Sequence, residues 1–214
     1  MSGSTRGHKH AVRIGPDVFL RPPTAADKAE YVKLRDVSEA WLTPWEPTPP
    51  GQVETPEPEV IFDRVLSTAD SQHFRRFMIC LNPTGEIVGQ LTLGHIYRGP
   101  FLNSIAGYWI GQPFANRGFA TQALAMGLAD AFGPMGLHRV EANINPENTP
   151  SLRVVQKLGF RFEGLARRYL RINGEWRDHQ HWAMTVEDYG ELAQNHPQSE
   201  PGPGAEAPKP DRSL

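Results

Sequence analysis

Apolar positions along the chain follow two rhythms. Alternating or continuous apolar runs interleave with stretches in which apolar residues return every third or fourth position, the periods of strands and helices. Short strands near Ala11–Ile14 and Val18–Arg21 flank a Gly-Pro-Asp turn. Thr24 is a good N-cap, and Tyr31, Leu34, Val37 (or Ser38) and Trp41 fall at helical spacing, so a helix is predicted from Ala25 to Leu42. Residues 43–59 carry six prolines in 17 positions and read mainly as loop. A helix near Pro58–Thr68 follows, then strands over His73–Leu81 and Glu86–Tyr97 joined by the turn Asn82-Pro83-Thr84-Gly85. Asn103–Gly111 reads as the next strand, and Asn116–Phe132 as a helix with little charge. His138–Asn145 is a strand, and a short helix from Pro150 to Leu158 stops at Gly159. Phe160–Ile172 and Glu175–Val186 flank Asn173-Gly174, a strong hairpin signal.

The order β-β-α-α-β-β-β-α-β-α-β-β implies a mixed α/β sheet, of the α+β type. It is not the regular alternation of a dinucleotide-binding fold, and the sequence has neither GxGxxG nor GxxxxGK[ST].

Composition narrows the functional classes. At 214 residues the chain fits one domain with a tail, and its net charge of −2 offers no basic field for nucleic acid or a membrane surface. A single cysteine, Cys80, excludes an intrachain disulfide and points to a reducing compartment, the cytoplasm. No apolar run reaches the roughly 20 residues that span a bilayer. The opening MSGSTRGHKH lacks the apolar core of a signal peptide. Residues 1–10 are expected to be flexible, 11–192 to form the domain, and the Pro/Gly-rich 193–214 to be a disordered tail.

Chemistry concentrates at two strand-to-helix junctions. In GYWIGQPFANRGFATQAL an apolar strand ends, a glycine-containing loop follows, and a helix starts with no acid in its first turn. Unpaired N–H groups and the helix dipole make such a start an anion site, Gly118 allows close backbone approach, and Arg117 adds a forked cation. An ordinary glycine loop reads the same way. In EANINPENTPSLRVVQKLGFRFEG, Asn148 and Ser151 open a short helix directly after a strand. By themselves they read as a turn former and a first-turn residue.

Together with YLRINGEWRDH and the PWEP of Pro44–Pro47, these stretches resemble the GNAT N-acetyltransferase family, in particular the RimJ-type ribosomal-protein-alanine N-acetyltransferases. The likeness runs over roughly residues 12–190. It implies a splayed sheet of about seven strands with about four helices, and acetyl-CoA as cosubstrate without a metal. It implies that Asn116, Arg117, Gly118, Phe119 and Ala120 form the pyrophosphate loop, with Thr121 continuing the helix. Ala115 stands where many relatives carry a polar side chain, so that grip rests on backbone amides, Asn116 and Arg117. The backbone of Trp109, Ile110 and Gly111 would hold the pantetheine, Asn148 would hold its arm, and Ser151 would be the acid that protonates the leaving thiolate.

Acetyl transfer needs a neutral amine, a polarised carbonyl and a protonated leaving group. An α-amine with pKa about 7.7–8.0 is on the order of a tenth neutral at pH 7, whereas lysine depends far more on a base. Glu46, beside Trp45 in the proline loop, and Glu141 are the candidate bases or amine anchors; a solvated loop carboxylate and a salt bridge are the plainer readings. Some relatives carry a glutamate near Leu170, so the base stays unassigned, with a water relay as one route. Tyr108 and Trp109 alternate, and Tyr108 is the one expected to face the cleft. His179 and His181 suggest a metal pair but lack a third ligand. Arg167, Arg168 and Arg171 form a basic strand that suits an exposed edge or an acidic partner. The leading expectation is acetylation of a protein N-terminal α-amine (Ala or Ser), such as that of a ribosomal protein, by a monomer or homodimer. The alternatives are a small-molecule amine acetyltransferase (aminoglycoside, polyamine or amino-acid analogue) and a non-catalytic acyl-CoA-binding module.

Overall fold

The computed structural model describes residues 8, 10–48 and 56–195, so most of the expected flexible start, part of the proline loop and the tail beyond 195 lie outside the described residues. The strands are β1 (Arg13–Ile14), β2 (Val18–Arg21), β3 (Phe74–Leu81), β4 (Ile87–Tyr97), β5 (Asn103–Ile110), β6 (Arg139–Ile144), β7 (Arg161–Ile172) and β8 (Glu175–Thr185). The helices are α1 (Lys28–Asp36), α2 (Glu39–Leu42), α3 (Pro58–Ser67), α4 (Phe119–Phe132), α5 (Thr149–Lys157) and α6 (Val186–Asn195).

All eight strands form one sheet in the order β1-β2-β3-β4-β5-β6-β8-β7. Only β5 and β6 run parallel, because α4 crosses between them. On one face, α4 and α5 bury Phe119, Leu124, Leu128, Val154 and Val155 against Leu91, Leu93, Val140 and Ala142. On the other, α1 and α3 bury Tyr31, Leu34, Phe62 and Val65 against Phe19, Met78, Cys80 and Ile87. A sheet covered on both faces explains why β3 and β4 read as nearly continuous apolar runs. Burial pushes the Cys80 thiol up to about 12, so it is an inert core group.

The predicted Ala25–Leu42 helix breaks in the structure. A 3₁₀ turn over Ala25–Asp27 leads into α1, and the chain leaves helical geometry at Ser38, whose φ is −110°. The buried Ser38 hydroxyl turns away to accept a bond from the Gln112 N–H at 3.0 Å. Tertiary bonding at the end of β5 thus overrides local helical preference. The predicted start of α4 also moves, from Asn116 to Phe119, because Asn116 (φ 61°) and Gly118 (φ 81°) are left-handed. Helix α6 had no sequence assignment. Thr185 and Asp188 bond each other's backbone N–H at 3.3 and 3.0 Å, a capping box that was visible as T-x-x-D.

Beside the split in the sheet, Gly89 pairs with Ile110, and an added β-carbon would lie 2.1 Å from the Trp109 carbonyl oxygen. Backbone, not a flexible side-chain tip, blocks it. Gly89→Ala is expected to destabilise the fold by about 1–3 kcal/mol, read by thermal denaturation as a fall in Tm of roughly 2–4 °C per kcal/mol.

Candidate active site

The site is made by a pairing that stops. β5 and β6 pair at Asn103 with Arg139, Ser104 with Val140 and Ile105 with Glu141, and no further. From Ala106 to Ile110 on β5, and from Ala142 on β6, the strands diverge into a wedge. Gly111 donates its N–H to Val88 on β4 at 2.9 Å and accepts from Phe114, so its backbone is already engaged. Alternation along β5 therefore turns the Ile110 N–H away from β4, toward the wedge. Gly111 serves packing instead, since an added β-carbon would lie 2.3 Å from Leu34 Cδ1.

The loop from Ala115 to Gly118 ends beside this wedge. Gly118 is the N-cap of α4, no side chain caps the helix, and its first turn holds no acid. The first helical bond is Gln122 N–H to Gly118 O at 3.1 Å, which leaves the N–H groups of Phe119, Ala120 and Thr121 without an intrahelical partner. Nothing lies within 4 Å of the β-carbon position of Gly118. Asn116 and Arg117 are exposed, and the Arg117 guanidinium stands 5.5 Å from the Phe119 ring centroid. An exposed helix N-terminus with open space, a nearby arginine and no acid in its own first turn fits a pyrophosphate, with the Asp17 carboxylate held by Gln122 at 2.7 Å.

On the α4–α5 face, Tyr108 reaches the first turn of α5. Its hydroxyl lies 2.9 Å from Ser151 Oγ and donates to the Ser151 carbonyl at 3.2 Å. Burial pushes the Tyr108 phenol up to about 12, with the Ser151 bond pulling the other way, so it stays protonated at neutral pH. Asn148 caps α5, its Oδ1 accepting from the Ser151 N–H at 3.2 Å. The Ser151 hydroxyl is thus fixed by a cap below and a phenol beside it.

Trp109 points to the opposite face. Its ring meets Tyr31 edge-on at 5.5 Å, and the Arg35 guanidinium stands 5.3 Å from it. Arg35 is buried and grips Glu46 with both terminal nitrogens, Nη2 to Oε2 at 2.8 Å. Burial is the largest influence and opposes the Arg35 charge, but the Glu46 bond together with the nearby negative charge outweighs it, leaving its pKa raised. Glu46 is therefore ion-paired and only partly exposed. The segment carrying Trp45 and Glu46 is fastened to the β7–β8 hairpin. Pro47 bridges Ile172, the Thr48 N–H donates to the Arg171 carbonyl at 3.0 Å, and the Gly174 N–H donates to Thr48 Oγ1 at 3.0 Å. Sequence reasoning missed Arg35. Its signal was position: Tyr31, Leu34 and Arg35 share one helical stripe, and a cation on a core stripe calls for a carboxylate.

Glu141 is also paired. Arg139 Nε donates to it at 2.9 Å, and Arg139 bonds Glu163 on β7 as well. The Arg139 bond, with a smaller share from Arg161, holds the Glu163 carboxyl down at about 2. The face of β6 bearing Glu141 and Asn143 is the one opposite α4 and α5, since Val140, Ala142 and Ile144 enter the core with those helices. Arg167 and Arg168 are exposed at a bulge in β7. Among the described residues no group of three His, Cys, Asp or Glu side chains gathers as a metal cluster, and no helix is long and apolar enough to cross a membrane.

Two substitutions separate the capping and binding duties of Asn148. Asn148→Ala is expected to cost about 1 kcal/mol of stability through the lost cap. Asn148→Asp keeps the capping oxygen, so denaturant unfolding is expected to match the parent while calorimetry shows weaker binding of CoA.

Known proteins share this architecture. A family model described as an acetyltransferase (GNAT) domain matches residues 17–161. The probable N-acetyltransferase YjcK of Bacillus subtilis is 28% identical over 178 residues, covering 81% of this chain and 97% of that protein. The ribosomal protein uS5-alanine N-acetyltransferase of Escherichia coli is 36% identical over 104 residues, 49% of this chain and 54% of that one. The solved structure of Mycobacterium smegmatis RimJ in complex with CoA-disulfide superposes with a TM-score of 0.74 at 36% identity, covering 85% of this chain and 93% of that chain. The unpaired edge of β5, the open start of α4 and these likenesses lead to one assignment: the chain belongs to the GNAT family and is an acetyl-CoA-dependent N-acetyltransferase.

Proposed function

We propose that this enzyme acetylates the α-amine of a protein N-terminus beginning with Ala or Ser, with a ribosomal protein as the acceptor, in the cytoplasm. The observation that carries the reading is the two-sided wedge. A protonated hydroxyl pair, Tyr108 and Ser151, lies on one face of β5. A fastened segment carrying Glu46 lies on the other, and each candidate carboxylate there is already ion-paired. An acceptor that needs little help to lose its proton suits such a site, and an α-amine is that acceptor. The names of the E. coli and M. smegmatis relatives point the same way.

Acetyl-CoA supplies the acetyl thioester. The N–H groups at the start of α4, with Asn116 and Arg117, would hold its pyrophosphate, and the wedge-facing edge of Ile110 with Asn148 would hold the pantetheine, the Trp109 backbone being turned toward its partner Gln90 on β4. The Ile110 N–H, turned toward the wedge, would polarise the carbonyl. The Ser151 hydroxyl would return a proton to the departing sulfur, with Tyr108 beside it. Trp45 and Glu46 would border the acceptor, with Glu141, held by Arg139, beside its amine.

Thiol release measured with Ala- and Ser-starting peptides and a panel of small amines tests the reading. Turnover of the peptides is expected; turnover of small amines with none of peptides would replace it by the small-molecule alternative. Ser151→Ala is expected to lower kcat by about 10²-fold or more while acetyl-CoA affinity changes little. Arg117→Glu is expected to weaken acetyl-CoA binding by about 1–2 kcal/mol, with kcat at saturation nearly unchanged.

A further inference from the structure

On the acceptor face of the sheet, where β6 has left β5, the structure holds two buried polar atoms without hydrogen-bond partners among the described residues, Asn143 Oδ1 and His181 Nε2. They belong to residues directly opposed across the β6–β8 pairing. Opposed side chains in an antiparallel pair share a face, so the two stand side by side. Buried polar atoms are ordinarily bonded, and two neighbouring exceptions on a binding face ask for a ligand that carries donors.

The surroundings define that ligand. The Asn143 amide nitrogen donates to the Tyr169 hydroxyl at 3.1 Å, which leaves Oδ1 as the acceptor. The Tyr169 ring meets His181 edge-on at 4.7 Å and His179 at 5.6 Å. Glu141 lies two residues before Asn143 on the same face, bonded to Arg139. An amide oxygen, an imidazole nitrogen, an aromatic ring and a nearby carboxylate suit a cationic nitrogen with several N–H donors. Tyr169 is 38% exposed and follows a β7 bulge in which Arg168 has φ 50°, so it is placed as a cover over the pair.

We propose that Asn143 and His181 dock the ammonium group of the acceptor, and that His181 Nε2 takes its proton. This rests on the reading of the wedge as an amine acetylation site. The N–H bond of the ammonium breaks and Nε2 gains the proton. The freed nitrogen pair bonds to the thioester carbon, the C–S bond breaks, and Ser151 returns a proton to sulfur. The second proton lost by nitrogen re-forms the Ser151 hydroxyl through water, and imidazolium discharges its own to solvent. Around His181 the ionisable groups are His179 and Asp178 on β8, Tyr169 on β7, Glu141 with Arg139 on β6, and Tyr97 at the end of β4. Burial lowers the His179 pKa and keeps it neutral, so it adds no repelling charge at neutral pH.

Two measurements test the dock. In the CoA-saturated full chain carrying isotope-labelled histidines, an Ala-starting peptide is expected to shift the His181 ring resonances, while those of His138 stay put. In steady-state assays His181→Gln is expected to reduce kcat/KM for the peptide at least tenfold. It should leave the acetyl-CoA KM within about twofold and flatten the acid limb of the pH profile, and Asn143→Ala should raise the peptide KM. Unmoved His181 resonances, or parental kcat/KM at every pH in His181→Gln, overturn the proposal. If His181→Gln fails to fold, the resonance experiment decides alone. Shifted His181 resonances with no turnover of any amine would overturn the acetylation reading and leave the dock standing.

Discussion

The structure depends on a hydrogen-bond ladder that is left unfinished. Parallel strands need a crossover to lie side by side, and α4 supplies one between β5 and β6. Pairing then stops after three residue pairs. Unpaired backbone groups within a protein must find partners, and on β5 they face an opening instead of a strand. That opening is where a thioester arm can complete the ladder. The phosphate end follows from the same turn of chain, because the helix that makes the crossover also presents its unbonded N–H groups beside the opening. One topological decision thus sets both ends of a cosubstrate site.

Strand alternation then gives the site two chemically different sides. Tyr108 and Trp109 are adjacent, yet one reaches α5 and the other reaches α1. The α5 side carries hydroxyls fixed by a helix cap. The α1 side carries ion pairs in which Arg35 and Arg139 hold the carboxylates Glu46 and Glu141. A carboxylate gripped by a guanidinium is a poor proton acceptor, because accepting a proton would leave the cation uncompensated.

Much of this was legible in the sequence, and the exceptions share a cause. Strands β3 to β6 and the Asn173-Gly174 hairpin are local patterns, and they stand where the periodicity and turn residues put them; the acid-free start of α4 is present but three residues later than its local pattern placed it. The first strand is shorter than expected while the second stands as read, and the expected Ala25–Leu42 helix breaks at Ser38, whose hydroxyl is claimed by a backbone amide 74 residues away. The pairing of Arg35 with Glu46 and the alignment of Asn143 with His181 depend on which segments meet, which no local pattern encodes. Tyr108 was expected to line the cleft, and its hydroxyl does lie on Ser151, but the register that brings α5 to that point is tertiary.

The segment carrying Trp45 and Glu46 has a consequence for how the molecule comes together. Thr48 is fastened to Gly174 across 126 positions of chain. Contacts that distant close late, because the entropy of the intervening loop must be overcome first. During synthesis the meander β3 to β5 can pair from neighbouring segments as they appear, while the acceptor side waits for the final hairpin. The half of the cleft that reads the acceptor is then the last to mature, so a truncated or newly made chain would present a cosubstrate edge before it has anything to discriminate with.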